Sequence, residues 1–350
     1  MTIEFTTFIH EVTSDPLLAV TVLLTFGVIL VNGWTDAPNA IATAVSTRAM
    51  STRAAIIMAS FMNFLGVFVM TMISATVAET IFNMVDFGGN AHAATVALCA
   101  AMVAIVVWAT AASVFGIPTS ESHALIAGLS GAAISIQNSF SGINGAEWVK
   151  VLYGLALSVV LGFISGFAMT RLIEWIFSHG DRRNLASKFR KAQIGAAAGM
   201  AFMHGAQDGQ KFIAVFMLGI FLNRGVADAH AFRIPIWMMV LCSLIMALGT
   251  SIGGYRIIKS VGMDMVKLEP YQGFAADLGA SLSLLVAQLF GLPVSTTHTK
   301  TTAIIGVGAS RRLSSVKWSI VGEMVWSWIL TFPCCGLIGY GMTKLFIAIF

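Results

Sequence analysis

The chain has 350 residues, 57% of them hydrophobic and 10% charged, with a formal net charge of +4 and a mean hydropathy of +0.85. Soluble domains carry about 25% charged residues, so this balance excludes a soluble globular protein and defines an all-α polytopic membrane protein. The basic excess does not point to nucleic acid, because Lys and Arg fall in short stretches between apolar segments, where membrane topology accounts for them.

Residues 1–15 hold Glu4, Glu11 and Asp15 but no Lys or Arg, so the basic start of a cleaved signal peptide is missing and the N-terminus is expected to be retained outside. Residues 17–31 are apolar, a polar break follows at Asn32 to Asn39, and 37–47 resume, which reads as one crossing with an unwound middle that ends at Arg48 and Arg53. Residues 54–78 lead outward and 93–115 return, each meeting the about 20 apolar residues a bilayer core requires. Residues 122–136 are short, and 148–173 lead back to the basic cluster Arg171, Arg182, Arg183, Lys188, Arg190 and Lys191. The plan then repeats: a broken crossing at 192–222, then 235–254, 272–290, a short segment at 298–307, and a long one from 319 onward.

This organisation predicts two repeats, 1–174 and 192–350, joined by a basic cytoplasmic connector at 175–191. About five crossings in each half place the halves in opposite orientations, the inverted-repeat plan of many secondary transporters, with broken helices and short or re-entrant segments at the centre. Both termini are then extracytoplasmic. A count of twelve segments instead of ten stays open, as does a homo-oligomer. Cys99, Cys242, Cys334 and Cys335 lie in apolar stretches without metal-ligand spacing and read as packing residues.

Two motif pairs support duplication. The break Asn-Gly-Trp-Thr-Asp-Ala-Pro-Asn, residues 32–39, returns as His-Gly-Ala-Gln-Asp-Gly-Gln-Lys, residues 204–211, with Asp36 and Asp208 offset by 172 residues. Gly-Ile-Pro-Thr-Ser-Glu-Ser-His, residues 116–123, returns as Gly-Leu-Pro-Val-Ser-Thr-Thr-His, residues 291–298, at an offset of 175. Near-equal offsets for unrelated motifs indicate that a whole half was copied.

Each motif has a chemistry. An Asp at the bilayer centre costs at least ~2.5 kcal/mol, so Asp36 and Asp208 need a purpose. With the amides of Asn32, Asn39, Gln207 and Gln210 they form cation sites, for Na⁺ in an oxygen shell or for a proton. The Gly-x-Pro break before a Ser/Thr-rich turn starts a helix whose unpaired N–H groups, hydroxyls and dipole favour an anion. Alternatively, those hydroxyls only cap helices. Lys211 meets the anion or pairs with Asp208 or Glu121. Glu121 is a coupling or gating acid. His123 and His298 relay protons or make structural hydrogen bonds. Asn63, Asp277 and Gln288 read as polar glue between helices.

Residues 32–43 with Thr47-Arg-Ala-Met50, the block His204 to Lys211, and Pro293 to His298 together resemble the PiT family of inorganic phosphate transporters, across essentially the whole chain. The resemblance implies a symporter that moves phosphate inward with Na⁺ or H⁺ by alternating access in the cell membrane. It implies that Asp36, Asn39, Asp208 and Lys211 serve cation and phosphate binding. Ser120, Ser122, Ser295, Thr296 and Thr297 would hold the phosphate oxygens. Thr35 and Gln207 stand where sodium-coupled members typically have Asn, and Pro38 and Glu121 also depart from the commoner pattern, which leaves the coupling ion open.

The alternative anion is sulfate. Phosphate can donate a hydrogen bond to Glu121 or Asp36, whereas sulfate only accepts, which favours phosphate. An intramembrane enzyme using Asp36 and Asp208 as acid and base, or an ion channel, are the readings from other classes. No zinc-protease motif or P-loop occurs in the chain, and duplicated breaks suit an occluded site, so a secondary carrier that is not an enzyme and needs no cofactor is expected.

Overall fold

A computed structural model describes residues 3–88, 90–115, 119–225, 233–252 and 254–350. The expected Gly-x-Pro break at 116–118 lies outside the described residues, as do the side chains of Arg182 and Arg183. Fourteen α-helices are found among the described residues, with no strand beyond isolated bridges. Helix α1 covers Phe5–Ser14, and α2 (Pro16–Thr35) starts where Asp15 accepts from the amides of Leu17 at 2.8 Å and Leu18 at 3.3 Å. The two-residue turn at Asp36 and Ala37 leads into α3 (Pro38–Ser46). Pro38 has no N–H to continue the helical ladder. Asn39 N–H instead turns to the Asp36 carbonyl at 3.0 Å, so the break is a tight local turn, and α2 with α3 still forms one 31-residue span.

The first half continues with α4 (Thr52–Ile73), the short α5 (Thr76–Phe82), α6 (Ala91–Phe115), α7 (Glu121–Gln137) and α8 (Gly145–Ile176). The second half comprises α9 (Arg182–Asn223), α10 (Ile236–Ile252), α11 (Tyr255–Lys259), α12 (Pro270–Leu289), α13 (Thr296–Arg311) and α14 (Trp318–Ile349). Each of the ten segments expected from the sequence is therefore helical. One expectation fails: α9 runs unbroken for 42 residues through 204–211, where a second break was predicted. The stretch contains no proline, and a helix satisfies all its backbone groups internally, which a bilayer interior rewards.

Among the described residues, five spans (α2 with α3, α4, α6, α8 and α14) are long and apolar enough to cross a bilayer on their own. Helices α7 and α13 have 17 and 16 residues, or roughly 25 Å at the α-helical rise, and fall short of a full crossing. Large apolar side chains such as Leu23, Ile57, Trp175 and Leu337 face outward, while Lys211 and Lys300 are completely buried. A polar centre inside an apolar coat is the distribution a lipid solvent selects.

Packing partners recur with the halves exchanged: α8 lies on α13 as α14 lies on α7, and α4 lies on α9 as α10 lies on α2. Backbones touch at matched glycines. A Cβ on Gly66 would sit 2.0 Å from the Phe202 carbonyl, and one on Gly249 would sit 2.2 Å from that of Leu30. Without a hydrophobic drive in lipid, such close approach supplies the van der Waals contact that joins helices. The connecting loops match too: Asn144 N–H bonds the Met84 carbonyl at 3.0 Å, and Lys317 N–H bonds that of Met265 at 3.1 Å.

Candidate functional site

The α2–α3 turn, the middle of α9 and the starts of α7 and α13 meet in the interior. Ser120 caps α7 by accepting from His123 N–H at 3.4 Å, and Ser295 caps α13 by accepting from His298 N–H at 3.2 Å. These two hydroxyls therefore hold the helix starts, and the next residues face the acids. Thr297 donates to Asp36, and Asn39 bonds both of them, at 2.8 Å to Asp36 and 3.0 Å to Thr297. Across the site, Ser122 donates to Asp208 at 3.4 Å and Thr296 donates to it at 3.2 Å.

Asp208 and Lys211 share one face of α9 at i,i+3 spacing, which joins them at 2.7 Å. The Lys211 ammonium also donates to Ser122 and to the Val294 carbonyl, each at 2.6 Å. Asn32 reaches Asp208 at 3.3 Å. Glu121 is 1% exposed, and neither carboxylate oxygen accepts a well-formed hydrogen bond, with the Asn32 amide alongside. Three carboxylates thus share the central site with the Lys211 ammonium, apart from the separate Asp277–Lys300 pair.

The oxygens suited to a cation are present and unused. Asp36 Oδ2, Asn32 Oδ1 and Asn39 Oδ1 are buried without hydrogen-bond partners. Asp36, Asp208 and His204 each bring a ligand atom to one place, all within 4.8 Å of one another. A hard cation such as Na⁺ takes oxygen ligands, so the free oxygens of Asp36, Asn32 and Asn39 fit it. Beyond the capped His123 and His298 N–H groups, the first two N–H groups of α7 and α13 point out of their helices, and the helix dipoles favour an anion there.

Other residues singled out by sequence find partners other than the acids. Gln207 is 3.5 Å from the Leu292 carbonyl, and Gln210 donates to the Ser74 carbonyl at 2.6 Å. The His123 and His298 rings meet edge to face at 4.4 Å, backed by Phe332 and Trp328. Sequence reasoning gave His204 no role, yet it lies 3.3 Å from Asp208 and bonds Asn63 at 3.0 Å, so Asn63 supports the site from α4. The spacing of His204, Asp208 and Lys211 at i, i+4 and i+7 was the available signal. Sequence reasoning also left Lys300 unassigned. It pairs with Asp277, and Thr43 bonds both at 3.1 and 2.6 Å.

Paired acids and paired helix starts at the enclosed centre of a helical membrane protein are the arrangement expected of a secondary transporter. Residues 32–339 match the phosphate transporter family, and the chain belongs to it. It is 35% identical to a probable low-affinity inorganic phosphate transporter of Bacillus subtilis, over 93% of this chain and 96% of that one. Identity to a protein of the same description from Rhizobium meliloti is 37%, over 88% and 90% of the two chains. Among solved structures, a sodium-dependent phosphate transporter shares the fold with a TM-score of 0.87 at 23% identity, covering 96% of this chain and 100% of that one.

Proposed function

We propose that the protein imports inorganic phosphate by symport with Na⁺ or H⁺, through alternating access around the central site. In this reading residues 1–174 and 192–350 are inverted repeats, the connector at 175–191 is cytoplasmic, and both termini are outside. The exchanged packing partners and matched glycine contacts support the repeat.

The observation that carries the reading is the charge balance. Asp36, Glu121 and Asp208 are buried together with Lys211 as their ammonium. A phosphate entering there would add to an existing negative excess, and at low dielectric that repulsion is strong. Mobile cations must therefore arrive with the anion. A Na⁺ takes the free oxygens of Asp36, Asn39 and Asn32, or a proton takes Glu121. Phosphate then accepts from the hydroxyls of Ser122, Thr296 and Thr297, whose hydrogens turn to it from Asp208 and Asp36, and from the N–H groups of the first two residues of α7 and α13.

The test is uptake of radiolabelled phosphate into proteoliposomes under imposed Na⁺ or H⁺ gradients, with unlabelled sulfate as competitor. Uptake should follow one gradient and ignore sulfate. Uptake indifferent to both gradients refutes symport, and sulfate that competes and is itself carried makes the protein a sulfate permease.

A further inference from the structure

We propose that the Lys211 ammonium is a tethered cation: it fills the second of two matched cation sites, so that Asp208 takes up no mobile ion during transport. The proposal rests on the symport reading and adds its stoichiometry.

Two three-residue clusters correspond position for position. Asp36 and Asn39 lie 172 residues before Asp208 and Lys211, and Ser122 lies 175 before Thr297. In each cluster the acid bonds the side chain three residues later, and a hydroxyl from the other half's short helix joins both. The chemical difference lies in one position, where an amide stands in the first cluster and an ammonium in the second.

The surroundings of that ammonium are those of a bound ion. Its three neighbours are a carboxylate oxygen at 2.7 Å, a hydroxyl oxygen at 2.6 Å and a backbone carbonyl at 2.6 Å. Those are the ligand types a hard cation collects. An ammonium has three hydrogens, so with these partners none is left to donate to phosphate. Asn39 offers Asp36 no charge. Asp36 Oδ2 and Asn39 Oδ1 remain buried without partners, which is the state expected of a site that is filled only during the cycle. The second cluster carries its own cation, and the first must borrow one.

Lys211→Asn turns the second cluster into a copy of the first. With the voltage held at zero, phosphate accumulation in proteoliposomes is measured against graded gradients of the driving cation. The variant should couple one additional cation, so a tenfold gradient raises its limiting accumulation about tenfold above wild type. Asn39→Lys should do the reverse and lower the coupling by one. An unchanged coupling ratio in either variant overturns the proposal. So does a Lys211→Asn protein that inserts normally but no longer binds phosphate in detergent, since that would make Lys211 an anion ligand. If neither variant inserts, direct titration decides: more than one mobile-cation site of the driving ion in wild type is the overturning result. Failure of wild type to couple phosphate to any cation would instead defeat the symport reading itself.

Discussion

Asp277 and Lys300 form an ion pair with no solvent access to either side chain, and Thr43 bridges it from the other half. Asp277→Leu strands the ammonium with one hydroxyl for company. Breaking a buried pair from one side costs about 3–5 kcal/mol, because the remaining charge keeps its desolvation penalty. Thr43 also loses its acceptor, worth about 1 kcal/mol, so the total falls near the upper end of that range. Removing both charges with Asp277→Leu and Lys300→Met takes away the penalty with the attraction, and the double variant should recover to within ~2 kcal/mol of wild type. The two residues would then show a coupling energy of about 3 kcal/mol in a double-mutant cycle. Reversible unfolding in mixed micelles, followed by tryptophan fluorescence, measures all four proteins. A single variant within 1 kcal/mol of wild type, or a double variant as unstable as the sum of the singles, would refute the reasoning.

Asp36→Asn keeps shape and hydrogen bonding but removes the charge that calls for a cation, so cation-driven uptake should be lost while membrane insertion is normal; gradient-driven uptake at the wild-type level contradicts the site. Two glycines give opposite expectations. Gly66→Ala drives a methyl to 2.0 Å from the Phe202 carbonyl and should destabilise by about 1–3 kcal/mol, whereas Gly27 has nothing within 4 Å, so Gly27→Ala should be neutral or gain up to about 1 kcal/mol. The same unfolding measurement ranks them, and equal stabilities would count against the glycine contact between α4 and α9.

Hydropathy located the ten helical segments because every one must solve the same problem of satisfying its backbone in lipid, and the near-equal motif offsets pointed to the repeat that the exchanged packing partners support. The site was legible as far as charge in an apolar run can be read, which is why Asp36, Asp208, Lys211 and Glu121 stood out. Continuity of α9 was not legible. Gly205, Gly209 and the polar residues between them resemble the first break in composition, and only the absence of a counterpart to Pro38 distinguishes them. Lys300 and Thr43 went unassigned for a different reason. Their bonds join residues 257 apart in sequence, and periodicity carries no information about such a meeting. What the sequence did offer was a lysine in the middle of a helix whose other charged residue, Arg311, stands at its end, and such a buried charge requires a partner somewhere.

The unbroken α9 has a mechanical consequence. At the α-helical rise its 42 residues make a rod roughly 63 Å long, with the basic connector on its first turns and Lys211 well along its length. Its counterpart, α2 with α3, is jointed at Asp36 and Ala37, where Pro38 removes a rung of the ladder. One half thus holds its ion on a stiff lever and the other on a hinge. In the alternating access proposed above, a displacement of the connector would be passed along α9 towards Asp208, whereas the α2–α3 joint would let Asp36 turn without the far end of its span. The outward and inward strokes of so unequal a pair would then differ in compliance.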